Sequence, residues 1–196
     1  MSNEITVKIN CSLKEMYKIL DNKGFSIVDK FYLEDIYYIS KEINIKKQPV
    51  RKILSEYVLI RNITQFEANN FTNSYNVFNL TYKRKDIATN GDIISQEKRD
   101  CQIYNQEQGK EFLEKIGYKE IMTIKEKNIV YGKDDIRLAI KDIENGENLI
   151  EIETVENNPE LDTTEKLKVM INELQIPIDT NDYFIKKAEI ELKKIL

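Results

Sequence analysis

Glu4-Ile5-Thr6-Val7-Lys8-Ile9 alternates polar and apolar side chains with a period of two. Successive side chains of a strand point to opposite faces. The run therefore reads as a strand with Ile5, Val7 and Ile9 on a buried face and Glu4, Thr6 and Lys8 on the other. Leu149 to Thr154 has the same alternation near the other end of the chain and sets Glu151 and Glu153 together on one face. A fold that begins and ends its sheet with charged strand faces is the first expectation.

Working outward, Ser12-Leu13-Lys14-Glu15 has capping-box spacing. Leu13, Met16, Tyr17 and Leu20 follow at helical spacing, and Gly24 suits the position after a helix end. Phe31–Ile39, Tyr57–Ile63 and Tyr75–Lys83 are aromatic and β-branched, and read as strands. Residues 50–56, after Pro49, fit either a short helix or a loop. Asn90-Gly91 is a hairpin signal with a strand near Ile94–Ile103 returning from it. Residues 107–116 form a helix with Phe112, Leu113 and Ile116 on one side and Gly117 at the stop. Strands are expected near Glu120–Val130, Asp135–Ile140 and Leu149–Thr154, joined at Gly132-Lys133-Asp134 and Asn145-Gly146-Glu147. From Thr163 the chain reads as a helical tail in two pieces broken around Pro177. Leu167, Met170, Ile171 and Leu174 line the first piece; Phe184, Ala188, Leu192 and Ile195 suit the second.

Short turns between strands imply antiparallel pairing, and no regular βαβ alternation appears. The expected class is α+β: an eight-stranded antiparallel β-barrel, or tunnel, with a polar lining and flanking helices. One domain over 1–196 is expected, with the helical tail at about 163–196.

Composition narrows the function. The chain has 196 residues, of which 41% are hydrophobic and 33% charged, as a globular protein requires. Lys+Arg is 30 against Asp+Glu 34, a formal charge of −4, which lacks the basic excess of a general nucleic-acid binder. Cys11 and Cys101 form no C-x-x-C pair, and the N-terminal residues have no apolar leader block. A cytoplasmic protein with no membrane span is the expectation. Histidine is absent, so histidine triads, bases and zinc sites are all excluded. Chemistry must come from carboxylates, Lys, Tyr, Cys or an oxygen-bound metal.

The charged strand faces supply such groups. Thr123, Lys125 and Lys127 share one face, Arg137, Ala139 and Lys141 another, and Glu151 and Glu153 a third. Any half-solvated antiparallel sheet alternates in this way. If these faces instead line one cavity, several cations would focus on a polyanion, and paired carboxylates would suit Mg2+ or Mn2+ bound to phosphate.

The motifs, in order, resemble the CYTH, or triphosphate-tunnel, family. Glu4-Ile-Thr-Val-Lys8 resembles its E-x-E-x-K signature. Asp35-Ile-Tyr37-Tyr38 is similar to D-x-Y-[FY], and Val58-Leu-Ile-Arg61 to L-R-[IV]-R. Leu80-Thr-Tyr-Lys83 matches L-T-Y-K, and Arg99-Asp100-Cys101-Gln102 resembles R-E-x-E. Ile116-Gly117-Tyr118 is similar to a leucine-glycine-phenylalanine helix end. Glu151-Ile-Glu153 matches E-[IV]-E, and Leu174-Gln-Ile-Pro177 with Asp182-Tyr183 is similar to the closing helices.

That family joins class IV adenylyl cyclases with thiamine and inorganic triphosphatases. The resemblance implies a metal held by Glu4, Glu151 and Glu153, namely Mg2+ or Mn2+. It implies phosphate contacts from Lys8, Arg61, Lys83, Arg99, Lys125, Lys127, Arg137 and Lys141, with Lys8, Arg61 and Tyr37 acting on the reacting group. The implied partner is a small-molecule triphosphate or polyphosphate. A nucleic acid enters only through a 5′-triphosphate end, and a homodimer is an open option.

The departures are as informative. Thr6 stands at the second glutamate of the signature, Leu59 at the first arginine of L-R-[IV]-R, and Lys141 at an aspartate of the penultimate strand. The family's K-x-R pair falls on Lys125-x-Lys127 by face, or on Glu126-x-Asn128 counted back from Tyr131; strand alternation favours the former. Like charges ~4 Å apart repel by about 4 kcal/mol at an effective dielectric near 20, so Lys141 should weaken a metal site or occupy it. Three readings follow: metal-dependent triphosphate hydrolysis, cyclisation of ATP to cyclic AMP, and a degenerate binder of phosphate or polyphosphate without catalysis.

Overall fold

The computed structural model describes residues 4–67, 70–87, 93–155 and 158–196. Eight strands form one hydrogen-bonded sheet in the order β1-β8-β7-β6-β2-β3-β4-β5. They are β1 (Glu4–Lys8), β2 (Ser26–Ser40), β3 (Glu56–Glu67), β4 (Asn70–Ile87), β5 (Ile93–Ile103), β6 (Tyr118–Lys133), β7 (Ile136–Ile143) and β8 (Asn148–Glu153). The helices are α1 (Leu13–Asn22), α2 (Val50–Ile53), α3 (Gln106–Lys115), α4 (Thr164–Glu173) and α5 (Lys187–Ile195). The α+β class and the eight antiparallel strands hold. The barrel does not close: β1 and β5 end the strand order and are not neighbours. β1 is bordered instead by the chain after α4, through bridges Ile9–Ile178 and Thr6–Phe184.

The chain forms two compact units that share the long strands. The first is Met1–Phe31, Phe66–Asn73 and Glu126–Lys186; the second is Tyr32–Gln65, Ser74–Lys125 and Lys187–Leu196.

In the first unit, β1 pairs with β8, β8 with β7 and β7 with β6, all antiparallel. Their odd or even apolar positions build the core. Ile5, Val7, Leu138, Ile140, Ile150 and Ile152 pack with Met16 and Leu20 of α1 and Leu167 and Ile171 of α4. Each fully buried aliphatic side chain contributes about 1.5–3 kcal/mol relative to exposure. Ser12 caps α1 by accepting from the Glu15 N–H, as its capping-box spacing predicts, and Gly24 takes a left-handed φ of 81°.

In the second unit, Ile36, Tyr38, Val58 and Ile60 pack on Leu113 of α3, with Leu80 and Tyr82 beside them. Gly109 lets α3 lie close: a Cβ there would stand 2.8 Å from the Ile103 side chain.

Two expectations are corrected. The β6–β7 turn, expected over Gly132-Lys133-Asp134, is shorter and falls on Asp134 (φ 50°) and Asp135; Gly132 lies within β6, where the Val28 side chain fills the space of a Cβ at 2.7 Å. Phe184 lies outside α5, in the extended segment that borders β1, and is exposed. Val50–Ile53 is a short helix after Pro49. The Asn90-Gly91 turn lies outside the described residues.

Candidate functional site

The strand registers decide which polar residues share a face. In the first unit Thr6 lies opposite Glu151, Glu151 opposite Ala139, and Ala139 opposite Val130. One step along, Lys8 lies opposite Leu149, Leu149 opposite Lys141, and Lys141 opposite Asn128. Directly opposed residues point the same way. The face away from α1 and α4 therefore carries Glu4, Thr6, Lys8, Glu126, Asn128, Lys141, Glu151 and Glu153.

Carboxylate oxygens of Glu4, Glu151 and Glu153 lie within 4.8 Å of one another. Three hard oxygen donors at this spacing fit a divalent cation. Lys141 intrudes on the set: its Nζ is 2.8 Å from Glu151 Oε2 and 3.9 Å from Glu126 Oε1. Glu126 has a fully buried side chain and accepts a 3.2 Å hydrogen bond from Asn128 Nδ2.

In the second unit the charges are reversed. Asp35, on β2, is fully buried and accepts from Arg61 Nε at 2.6 Å and Nη2 at 2.7 Å. Lys187, the first residue of α5, reaches the same carboxylate at 3.2 Å. Burial alone would raise the Asp35 pKa; Lys187 and Arg61 outweigh it and hold it at about 2. Lys83 behaves oppositely. Burial, aided by the nearby charges of Arg61, Lys98 and Lys85, lowers its pKa to about 8. Among the described residues no hydrogen bond or ion pair neutralises it. Lys83 faces Lys98 across the β4–β5 ladder, and Thr81 faces Asp100 and donates to it at 2.6 Å.

The predicted residues sort accordingly. Glu4, Glu151 and Glu153 come together, and Lys141 joins them. Arg61 and Lys83 share one charged environment, as the causes of the Lys83 shift show. Tyr37 is buried and packs on Tyr57 with ring centroids 5.3 Å apart. Lys8 pairs with Glu147 at 2.8 Å. Arg137 is exposed and donates to the carbonyls of Asp134 and Ile136.

Three placements depart from expectation. Lys125 and Lys127 lie on the exposed side of β6, Lys125 paired with Glu34 at 3.3 Å, while Glu126 and Asn128 are buried on the other side. Arg99 lies opposite Tyr82, on the side that packs toward α3, and is largely exposed beside Glu97. Lys98, one residue earlier, holds the position opposite Lys83. Strand reading missed Glu126, Asn128, Lys98 and Lys187. The count back from Tyr131 pointed to the first two; nothing local pointed to Lys187.

No family model matches the chain. A protein of Methanocaldococcus jannaschii, provisionally named an adenylate cyclase, is 29% identical over 195 residues, 97% of each chain. A solved protein of Pyrococcus horikoshii OT3 superposes with a TM-score of 0.69 at 21% identity, over 99% of each chain. A Hippeastrum protein provisionally named an adenylyl cyclase, and described as having a dominant triphosphatase activity, has a TM-score of 0.62 at 15% identity. That match covers 100% of this chain and 97% of the other.

Proposed function

We propose, from the premise that this chain is CYTH-like in fold and in sequence motifs, that it binds a small-molecule triphosphate and hydrolyses a phosphoanhydride bond with a divalent metal. The observation that carries the reading is Lys83. A lysine held at a pKa of about 8, with no hydrogen bond or ion pair among the described residues, is a cation still largely charged at neutral pH against its own desolvation. A polyanion is the ligand that would relieve it. Asp35 fixes the guanidinium of Arg61, and Lys187 adds a second cation at the same carboxylate, so this cluster has a surplus of positive charge.

Glu4, Glu153 and one oxygen of Glu151 are the groups that would hold Mg2+ or Mn2+. When bound, the metal supplies polarisation of a phosphoryl oxygen and an acidified water. The protein's own part is charge neutralisation and orientation of the phosphate chain by fixed cations, which is most of what phosphoryl transfer demands.

The test is phosphate release from tripolyphosphate, ATP and thiamine triphosphate with Mg2+, Mn2+ or EDTA. Metal-dependent release that falls at least tenfold in Glu4→Gln and Glu153→Gln is expected. A folded protein that releases no phosphate from any of them would end the hydrolytic reading. The name of the Methanocaldococcus relative favours a second reading, cyclisation of ATP; cyclic AMP in the ATP reaction would identify it. Triphosphate binding indifferent to EDTA, without turnover, would mark a non-catalytic binder.

A further inference from the structure

One amine on the cationic face of the second unit is left over when its charges are matched. Asp35 holds Arg61 through both oxygens and Lys187 through one. Asp100 accepts from Thr81 at 2.6 Å through one oxygen and pairs with Lys98 at 2.9 Å through the other. Lys83 lies directly opposite Lys98 on the β4–β5 ladder and is half-buried, yet among the described residues it has no hydrogen bond or ion pair. Side chains at opposed positions start about 4.5–5.5 Å apart, and like charges placed there destabilise one another. The position therefore favours a neutral amine. Its pKa of about 8 agrees, lowered by burial first and by Arg61, Lys98 and Lys85 after it. A neutral lysine amine is a nucleophile. Its surroundings select the electrophile. Acylation by an ester or an acyl phosphate would leave an uncharged amide, and the positive charge around it would stay unmatched. Carbon dioxide leaves an anion on the nitrogen. The cations that oppose an ammonium at Lys83 then favour the product. Carbon dioxide is also small and uncharged, and needs no further contacts to reach a half-buried amine.

We propose that Lys83 is a carbon dioxide site, at which the ε-amine is converted to a carbamate beside Lys98. The nitrogen lone pair attacks the carbon of CO2, a C–N bond forms, and one C=O electron pair moves onto oxygen. The extra proton on nitrogen passes to water. Starting from the ammonium, one proton is lost before the attack and one after it, so a cation becomes an anion. No oxidant or reductant is involved. The carbamate supplies the anion that a triphosphate would otherwise supply, so the two compete for this face. Only that competition rests on the phosphate-binding reading above; the carbamate does not.

In the test, the full chain is equilibrated with dissolved carbon dioxide at about pH 8, where this amine is about half neutral. Carbamates are trapped as ethyl esters with triethyloxonium ion, and the modified lysines are mapped by mass spectrometry. Lys83 is expected to carry at least about tenfold more trapped carbamate than the exposed Lys14 and Lys18 of α1, since one unit of pKa is about a tenfold change in neutral amine. Lys98→Glu, which sets a carboxylate opposite Lys83, should erase that preference, and excess tripolyphosphate should suppress the adduct. No adduct at Lys83, an occupancy no greater than at Lys14 and Lys18, or a preference that survives Lys98→Glu would overturn the proposal. An adduct that forms as expected but is indifferent to tripolyphosphate would uphold the carbamate and count against phosphate binding on this face. Should Lys98→Glu fail to fold, Lys98→Gln takes its place and should lower the occupancy at Lys83 severalfold; an unchanged occupancy there overturns the proposal.

Discussion

The two units solve the same electrostatic problem with opposite signs. In the second, one buried carboxylate, Asp35, sits between two cations, Arg61 and Lys187. In the first, one buried ammonium, Lys141, sits between two carboxylates, Glu126 and Glu151. Simple counting leaves the first-named cluster with a surplus positive charge and the other with a surplus negative one. A chain of formal charge −4 thus carries both a cationic and an anionic polar face. The geometry differs as well. The guanidinium of Arg61 meets Asp35 as a two-pronged fork, and the Asp35 pKa of about 2 reports a carboxylate locked in its charged form. Lys141 is a point charge with one short and one long contact. The Asp35 cluster is fastened by three hydrogen bonds; the Lys141 cluster rests on one short and one long ion pair.

The Asp35 cluster predicts the largest effect. Asp35→Asn keeps the shape and leaves two cations facing each other without their counter-charge. Breaking a buried pair by removing one partner costs about 3–5 kcal/mol, to be read as a drop in urea midpoint. The acid limb gives a second readout. Asp35 falls from an ordinary value of 3.8 to about 2 in the fold, so its ionisation stabilises the protein above pH ~4. That contribution, about 2 kcal/mol, is lost as pH drops from about 4 to 2. Asp35→Asn should flatten this part of the stability curve. An unchanged midpoint would reduce the cluster to a surface contact.

The clusters were unequally legible in the sequence. Glu4, Glu151 and Glu153 came from strict alternation on two short strands, where a side chain has only two places to go. The same alternation misplaced Lys125 and Lys127. Glu126 and Asn128 share their side of β6 with Met122 and Ile124, so that side looked apolar and the opposite one looked like the polar lining. Periodicity separates two faces but does not say which one the helices cover. Arg99 failed for a related reason. A one-residue change in register turns every side chain over, and the Lys83–Lys98 pairing is fixed by the whole ladder and not by the basic run itself. Lys187 was beyond reach, because its contact with Asp35 joins residues 152 positions apart. Barrel closure was overread from strand count; closure needs β5 to pair with β1, which is a property of the backbone and leaves no local mark.

A moderate effect is expected at Lys83, where the surplus charge of the second unit should be felt by a ligand. A hydrogen bond to a charged group contributes about 1.5–3 kcal/mol, so Lys83→Met should weaken tripolyphosphate binding by about 10–100-fold. The sign with pH follows from the depressed pKa. Free Lys83 loses its proton as pH rises through about 8, so wild-type affinity should fall above that pH, by up to about tenfold per unit. Lys83→Met should bind weakly at all pH values and lose that slope. A slope that persists in the variant would assign the proton to another group.

The smallest effect separates two neighbours. Lys98 lies opposite Lys83 and Arg99 opposite Tyr82, so only Lys98 adds its charge to the face that carries Lys83. Lys98 is half exposed and already paired with Asp100 at 2.9 Å, which limits its contribution to the few tenths to 1 kcal/mol of a solvated ion pair. Lys98→Ala should therefore weaken tripolyphosphate binding about two- to fivefold. It should also raise the Lys83 pKa, because a like charge that opposes protonation is gone, and so move the alkaline loss of affinity to higher pH. Arg99→Ala should change affinity less than twofold and leave that pH profile in place. If Arg99→Ala proves the more damaging of the two, β5 presents its other face to the ligand and the assignment of the cationic face on that strand is reversed.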